Sequence, residues 1–249
     1  MADRLRGKGD MLRILVVVYE WIFLVPILGA STAIVGGMCL ALCLVVEPAT
    51  AGRWCGKAWA KINAFSAFMR VEVEGAEHIE RGRSYVVAAN HQSQLDILVV
   101  YGWLDMDFRW VMKKELRKVP VLGIACEKLG HIFVDRADRS TAIAAINQAV
   151  ERIPEGTSIF FFPEGTRSRS GSLLPFKKGA FRMAVDFQMP ILPVSIVGTH
   201  QLLPAGTLRL RPGKARLIIH SPIETAGCGT SHIPGLMQQT RKTITSVLC

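Results

Sequence analysis

Acidic residues are scarce in this chain of 249 residues: 20 Asp and Glu stand against 30 Lys and Arg, which gives a formal net charge of +10. Half of the residues are hydrophobic, so the chain is neither disordered nor collagen-like, and its length suits one sizeable α/β domain. The first 48 residues carry no net charge, so the remainder carries the whole excess. That basic part predicts an anionic partner: nucleic acid, a phospholipid surface or a phosphorylated small substrate.

Metal-site and cofactor-site patterns are also missing. The six cysteines and six histidines show no spacing typical of a zinc or redox site, so we expect no metal and reduced thiols facing the cytoplasm. There is no glycine-rich phosphate loop and no Gly-x-Ser-x-Gly motif of a serine hydrolase. No nucleic-acid-binding motif is recognisable, so we expect no nucleic-acid partner.

The first segment present in abundance is apolar. After Arg13, Glu20 is the only charged residue up to position 46. As one helix this run would be about 50 Å long, well over the ~30 Å of a hydrocarbon core. Pro26 and Gly29 therefore favour a kinked span or a helical hairpin that enters one leaflet and returns. A cleaved signal peptide fits poorly because the run is too long, whereas a buried hairpin in a soluble protein stays open.

Basic residues flank the apolar run on both sides, namely Arg4, Arg6, Lys8 and Arg13 before it and Arg53, Lys57 and Lys61 after it. The positive-inside tendency then predicts that both ends lie on the cytoplasmic side of the membrane. Residues 49–70 alternate aromatic and basic side chains at near-helical spacing, which predicts a helix at headgroup depth or one packed on the domain. We divide the chain into a membrane-associated hairpin with an amphipathic helix, residues 1–70, and an α/β domain, residues 71–249.

From residue 71 onward, strand and helix signals alternate. Short β-branched or aromatic runs predict seven strands, over residues 71–74, 84–89, 108–112, 131–134, 157–162, 191–197 and 215–220. Helical periodicity covers residues 96–104, 139–153, 177–187 and 233–247. This alternation predicts a mixed, largely parallel sheet flanked by helices.

A polar cluster follows the predicted strand 84–89, where open α/β sheets place ligands. It contains His91 and, five residues later, Asp96. On an unbroken helix these two would point about 140° apart. If His91 is in the loop and Asp96 begins the helix, the carboxylate orients the imidazole and leaves its other nitrogen as a general base. No nucleophile accompanies them, so the attacking group would be a substrate hydroxyl; alternatively both residues only satisfy loop hydrogen bonds.

Two further polar turns follow predicted strands. The turn after residue 162 is dense in guanidinium, hydroxyl and amide donors, which suits a phosphate, and Lys177 and Lys178 follow it. Asp135 and Arg136 come directly after the strand ending at residue 134. Because the carboxyl ends of parallel strands share one edge, we expect these turns to converge there.

Four segments resemble, in order and spacing, the four blocks of the glycerolipid acyltransferases. They are Asn90-His91-Gln92-Ser93 with Asp96, Gly130-His131-Ile132-Phe133-Val134-Asp135-Arg136, Phe162-Pro163-Glu164-Gly165-Thr166-Arg167-Ser168 and Ile191-Leu192-Pro193-Val194. The first and third are together specific, and the resemblance covers residues 71–222. It implies transfer of a fatty acyl group from acyl-CoA or acyl carrier protein, without a further cofactor or an acyl-enzyme, to the sn-2 hydroxyl of lysophosphatidate.

The resemblance also implies a role for each matching residue. His91 would take the proton of the acceptor hydroxyl and Asp96 would hold its ring. The acceptor's glycerol phosphate would be bound by Glu164, Gly165, Thr166 and Arg167, with Arg136 as a second contact and Lys113, on a short helix, as a weaker candidate. Glu164 contacts the glycerol or braces Arg167 by an ion pair.

Two alternatives stay open. An acyltransferase of the same group could use another acceptor, such as a lyso-ornithine lipid or glycerol phosphate. A non-catalytic membrane lipid-binding protein would result if His91 and Asp96 did not meet. In each case we expect a lipid surface as partner, since a lysolipid needs water for its head and lipid for its tail.

Overall fold

The computed structural model describes residues 14–135 and 137–248. Its centre is a seven-stranded sheet with the order β1-β7-β6-β2-β5-β3-β4. The strands are β1 (Met69–Glu74), β2 (Val86–Ala89), β3 (Phe108–Lys113), β4 (Ile132–Val134), β5 (Ser158–Phe161), β6 (Ile191–Val197) and β7 (Gly213–Ile219). Neighbours are parallel except β6 and β7, so the mixed, largely parallel sheet is confirmed, and all seven predicted strands are present.

The helices are α1 (Ile14–Leu42), α2 (Pro48–Ser66), α3 (Leu95–Trp103), α4 (Leu122–Lys128), α5 (Arg139–Val150), α6 (Gly179–Asp186), α7 (Thr199–Leu202) and α8 (Ile233–Thr245). Short 3-10 helices cover Ala76–His78, Lys114–Lys118 and Thr230–His232. The four helices predicted after residue 71 correspond to α3, α5, α6 and α8. The short α4 and α7 were not predicted, because so few residues show little periodicity.

Side chains of the sheet alternate between two hydrophobic cores. On β2, Val87 and Ala89 face the core that contains residues of α2 and α3, while Val86 and Ala88 face the core under α5, α6 and α8. The central strands are therefore buried on both faces, as expected for parallel strands between helices. Strands β6, β2, β5, β3 and β4 run in the same direction, so their carboxyl ends line one edge.

The apolar run forms one helix rather than a hairpin. By length and composition α1 could cross a membrane, with a mean hydropathy of 2.1, and it continues past Pro26 and Gly29 without a break. Pro26 follows a π-helical turn, Glu20–Leu24, where the hydrogen-bond pattern is already shifted. The hairpin predicted inside the run is therefore wrong in position: the chain reverses at residues 43–47, after α1.

Helix α2 then runs back along α1. The Asn63 side chain donates to Ser31 Oγ over 2.9 Å, and Trp59 Nε1 donates to Thr32 Oγ1 over 3.0 Å. Asn63 follows Trp59 along α2, whereas its partner Ser31 precedes Thr32 along α1, so the two helices are antiparallel. They form a helical pair, which we call the α1–α2 hairpin.

The α1–α2 hairpin is attached to the sheet domain at both ends of α1. Glu20 is 1% exposed, and its Oε1 accepts a hydrogen bond from Leu210 N over 2.6 Å. About four turns later Gly36 lies so close to Val121 that a Cβ would stand 2.7 Å from Val121 Cγ1. Helix α1 thus lies along the domain instead of projecting from it.

Helix α2 packs on the domain, which was one of the two alternatives predicted for it. Small residues, among them Ala51, Ala60 and Ala64, are buried against α1 and the domain. Its aromatic side is turned outward, with Trp54 56% and Phe65 83% exposed. The helix therefore packs on the domain and also presents an apolar stripe.

Candidate active site

His91 and Asp96 meet at the carboxyl end of β2. His91 is in the loop and Asp96 is the second residue of α3, as the sequence predicted. His91 Nδ1 lies 2.8 Å from Asp96 Oδ2, which also accepts the backbone N–H groups of Gln92 and Ser93 over 2.7 and 2.8 Å. An oxygen that accepts three hydrogen bonds belongs to a carboxylate, so Nδ1 carries the ring proton.

The other ring nitrogen of His91 is open. Within the described residues Nε2 makes no hydrogen bond, and the side chain is 15% exposed while Asp96 is fully buried. The imidazole stacks on Phe162 with a centroid distance of 3.9 Å and an interplanar angle of 10°. A neutral imidazole held in this way presents a lone pair at the sheet edge, which is the geometry of a general base.

The loop that carries His91 is held by two neighbouring side chains. The Asn90 amide pairs with β6, donating to Ile196 O over 2.8 Å and accepting from Ile196 N over 2.7 Å. Ser93 Oγ donates to Leu203 O over 2.7 Å. The loop therefore departs from the sheet in a fixed direction.

Glu164 does not form the ion pair with Arg167 that was one of its two predicted roles. It is 3% exposed, its Oε1 accepts from His91 N over 2.6 Å, and its Oε2 accepts from Leu174 N over 2.7 Å. No ion pair joins it to Arg167 in residues 14–135 and 137–248. Burial raises the pKa of Glu164 to about 7, against the lowering effect of the two backbone hydrogen bonds. Glu164 thus braces the His91 backbone rather than Arg167.

A cationic turn lies beside this carboxyl group. Gly165 has a φ of 72°, a left-handed conformation that favours glycine, and a Cβ there would stand 2.8 Å from Lys177 Nζ, so the lysine side chain lies against this turn. Thr166 is exposed, and Arg167 is half-buried without an ion pair to the described residues. Ser168 N donates to His91 O over 2.8 Å, which brings the turn against the loop of the general base.

The remaining predicted contacts lie further along the same edge. Lys113 is the last residue of β3 and not part of a helix, which corrects its predicted placement; it forms an exposed ion pair with Glu115 over 3.2 Å. The helix begins one residue later because Lys113 still pairs with Val134 in the sheet. Asp135, after β4, is bonded to Lys114. Arg136 lies outside the described residues.

Comparison with known proteins decides the family. Residues 70–197, about half of the chain, match the family model described as Acyltransferase. The chain belongs to the acyltransferase family. The matched segment contains the dyad, Glu164 and Arg167 of this acyltransferase.

Its relatives have a consistent description. A chloroplastic 1-acyl-sn-glycerol-3-phosphate acyltransferase of Brassica napus is 36% identical over 67% of this chain and 48% of its own. The 1-acyl-sn-glycerol-3-phosphate acyltransferase alpha of Homo sapiens is 34% identical over 72% of this chain and 64% of its own. The chain thus spans about half to two thirds of these relatives.

A solved structure covers more of the chain. The crystal structure of the 1-acyl-sn-glycerophosphate acyltransferase PlsC from Thermotoga maritima superposes with a TM-score of 0.79 and 30% identity. The match covers 94% of each chain, so it includes the α1–α2 hairpin as well as the sheet.

Sequence reasoning did not single out Arg241, which contacts the turn whose Leu174 N–H donates to Glu164. Arg241, on α8, donates from Nη1 to Leu174 O over 2.6 Å and from Nη2 to Leu173 O over 2.8 Å. It lies far along the chain from every motif, and no local pattern distinguishes it from other basic residues on a helix.

Proposed function

We propose that this acyltransferase transfers a fatty acyl group from acyl-CoA or acyl carrier protein to the sn-2 hydroxyl of 1-acylglycerol-3-phosphate, forming phosphatidate. The observation that carries the proposal is the His91–Asp96 pair, with an open Nε2 at an edge shared with an unpaired arginine. The likeness to proteins described as 1-acylglycerol-3-phosphate acyltransferases supports the choice of acceptor.

The chemistry needs one proton relay. His91 Nε2 takes the proton of the acceptor hydroxyl as its oxygen attacks the thioester carbonyl carbon, and Asp96 stabilises the resulting imidazolium. When the tetrahedral intermediate collapses, the C–S bond breaks and the imidazolium returns the proton to the departing thiolate. The products are an ester and a free thiol, and no acyl-enzyme forms.

Arg167 is the proposed phosphate ligand. Its planar guanidinium has no competing carboxylate among the described residues and offers a fork that matches two phosphate oxygens. Lys177, beside Gly165, adds charge to the same turn. Thr166 contributes a hydroxyl and Gly165 allows close approach of the backbone. Glu164, with both oxygens engaged, serves this site through the His91 backbone.

Lys113 and Arg136 are kept as more distant contacts. Lys113 ends β3, which at ~4.8 Å per strand lies roughly 10 Å from β2, and Arg136 is two residues beyond the end of β4 in the sequence. At that distance a long basic side chain reaches a different part of the bound substrates from the part that His91 reaches. Either residue would add a cationic contact for the phosphate of the acceptor; Arg136 lies in a family block, and Lys113 is the weaker candidate.

Membrane association follows from the α1–α2 hairpin. Helix α1 would be about 44 Å long, but it contacts the α/β domain near both Glu20 and Gly36. A helix that crosses the bilayer cannot keep a folded polar domain along its length, so we propose that the hairpin lies in one leaflet of the inner membrane. The active site would then face the cytoplasm, where soluble acyl donors are found, with its mouth at headgroup depth.

The function is tested with purified full-length protein, labelled acyl-CoA and acyl carrier protein, and a panel of acceptors. The panel contains lysophosphatidate, lyso-ornithine lipid, glycerol 3-phosphate and a lysophospholipid with a blocked phosphate. We expect labelled phosphatidate and the highest kcat/KM with lysophosphatidate. A higher kcat/KM with another acceptor would overturn the substrate assignment, and lipid binding without turnover would overturn the enzymatic one.

The membrane proposal is tested by vesicle sedimentation of the double variant Trp54→Ser, Phe65→Ser. The matched control is Val73→Ser on the edge strand β1, whose side chain is 37% exposed. We expect the double variant to lose part of its binding to anionic vesicles while the control binds as the native protein does. Equal binding by all three would contradict a role for the α2 stripe.

A further inference from the structure

We propose that Arg241 is a positioning residue for the acyl transfer described above: from α8 it fixes the Leu173–Leu174 backbone and, through Glu164, the backbone of His91. The inference rests on the proposed function, since it assigns Arg241 to the same general base. Arg241 is outside the segment that matches the family model.

The first link is a fork on two adjacent carbonyl groups. Arg241 Nη1 and Nη2 donate to Leu174 O and Leu173 O over 2.6 and 2.8 Å, and the guanidinium carbon lies 5.6 Å from the centre of the Phe176 ring. A planar guanidinium can satisfy both acceptors at once, whereas an ammonium group would reach them as a single point charge. The turn after residue 172 is thus held from outside by the last helix.

The second link is Leu174 itself. Its carbonyl is bound by Arg241, and its N–H donates to Glu164 Oε2 over 2.7 Å. Both polar groups of this peptide segment are therefore fixed, one on each side. A shift of Leu174 would remove one of the two hydrogen bonds that hold the Glu164 carboxylate.

The third link reaches the general base. Glu164 Oε1 accepts from His91 N over 2.6 Å, while His91 O accepts from Ser168 N over 2.8 Å. The main chain of His91 is thus held at both its N–H and its C=O by the segment that Arg241 holds in place. Arg241 acts on the orientation of the imidazole without touching a substrate.

Charge reinforces the geometry. Burial, with a smaller contribution from the nearby charge of Asp96, raises the pKa of Glu164 to about 7, against the lowering effects of the two backbone hydrogen bonds and of the positive charge of Arg241. The other charged or titratable neighbours are the His91 ring and the exposed Lys177 at Gly165. Because only the carboxylate accepts both N–H groups, the brace is complete above pH 7 and is lost as the pH falls through that value. Removal of the Arg241 charge moves that loss to higher pH.

The experiment uses the full-length protein in lipid–detergent micelles and compares Arg241→Gln, Arg241→Lys and the matched control Lys242→Gln, which removes one exposed charge from the next position of α8. For each variant we measure kcat, the KM for lysophosphatidate and the pH dependence of kcat, after confirming the folded fraction by thermal unfolding. We expect Arg241→Gln to lower kcat about tenfold, because small displacements of a catalytic group are costly, and to leave KM within about twofold. Its acidic limb moves to higher pH.

The two other variants distinguish the double hydrogen bond of the Arg241 guanidinium from its positive charge. Arg241→Lys keeps the charge and loses the fork, so we expect an intermediate kcat and an acidic limb at the native pH; Lys242→Gln behaves as the native protein. The proposal is overturned if Arg241→Gln keeps the native kcat and limb, if Lys242→Gln shifts the limb equally, or if the whole loss follows the unfolded fraction. The pH profile can be measured with any acceptor that turns over. It therefore tests the positioning role of Arg241 even if lysophosphatidate proves to be the wrong substrate.

Discussion

Two histidines at opposite edges of the same sheet show how environment separates a proposed general base from a structural histidine. His91, after β2, has one ring nitrogen on Asp96 and the other open. His131, just before β4, has both occupied: Trp110 N donates to Nδ1 over 3.3 Å, and Nε2 lies 2.7 Å from the Tyr101 hydroxyl. Both lie in segments that match family blocks, yet only one presents a free lone pair.

The charged neighbours of the two histidines also differ: His91 faces the carboxyl group of Asp96, whereas His131 lies near the guanidinium of Arg109. In the proposed mechanism, Asp96 stabilises a positive charge on the His91 ring. Burial, helped by the nearby Arg109 guanidinium, lowers the pKa of His131 to about 3, so that ring stays neutral. The function of a histidine is therefore inferred from the partner of its second ring nitrogen and from the sign of the nearest charge.

The largest expected effect concerns His91, the proposed general base. His91→Ala removes the general base, so we expect kcat to fall about 10³-fold with vesicle binding retained. The measurement is turnover of labelled acyl donor beside sedimentation with vesicles. The control is His131→Phe, which should keep kcat within about twofold for the folded protein. Near-native turnover in His91→Ala would contradict the general-base role.

The next effect comes from the carboxylates. Asp96→Asn keeps an oxygen that can accept from the ring and the backbone but loses the charge that stabilises imidazolium, so we expect kcat to fall about 10- to 100-fold. Asp107, which binds Arg109 and Thr157 near His131, provides the matched control Asp107→Asn. Steady-state kinetics measure both; an equal loss in the two variants would show that the effect is only one of stability.

A smaller effect concerns the acceptor. Arg167→Lys replaces a planar fork with a point charge, so we expect the KM for lysophosphatidate to rise about tenfold with little change in kcat. The control Arg83→Lys alters an arginine already paired with Glu80 and Glu224 away from the site. An unchanged KM in the Arg167 variant would count against phosphate binding there.

The smallest expected effect on activity concerns the structural histidine, His131. His131→Phe leaves Trp110 N–H and the Tyr101 hydroxyl without their partner, so we expect the free energy of unfolding to fall by about 1–3 kcal/mol. Because the pKa of His131 is near 3 in the folded state and 6.5 in the reference state, its contribution is complete above pH 6.5 and is lost as the pH falls towards 3. The stability difference between native and variant, measured by thermal unfolding across this range, should therefore shrink on acidification. A constant difference would contradict the assignment.

Local patterns predicted the seven strands and the four longer helices after residue 71, although the short helices α4 and α7 were missed. Strand runs and helix periods are set by residues a few positions apart, and the five-residue spacing of His91 and Asp96 showed that the two can pair only if His91 lies outside the helix. Each of these depends on chain-local geometry.

Long-range partners could not be predicted in the same way. Glu164 reaches His91 N across 73 residues and Arg241 reaches Leu174 O across 67, and nothing near either residue specifies that partner. The reversal of the hairpin was misplaced because the effect of Pro26 depends on a π-helical turn that has no simple sequence signal. Tertiary packing, rather than propensity, fixes these features.

The buried carboxylate of Glu20 has a practical consequence for anyone who wants this catalyst in water. Deleting the first helix would remove the Glu20 side chain, which accepts the Leu210 N–H, and would uncover the packed small residues of α2. Re-surfacing only the outward positions of α1 with polar residues keeps that amide satisfied. The apolar helix α1 is thus a structural part of the protein, so substitutions meant to raise solubility belong on its exposed face.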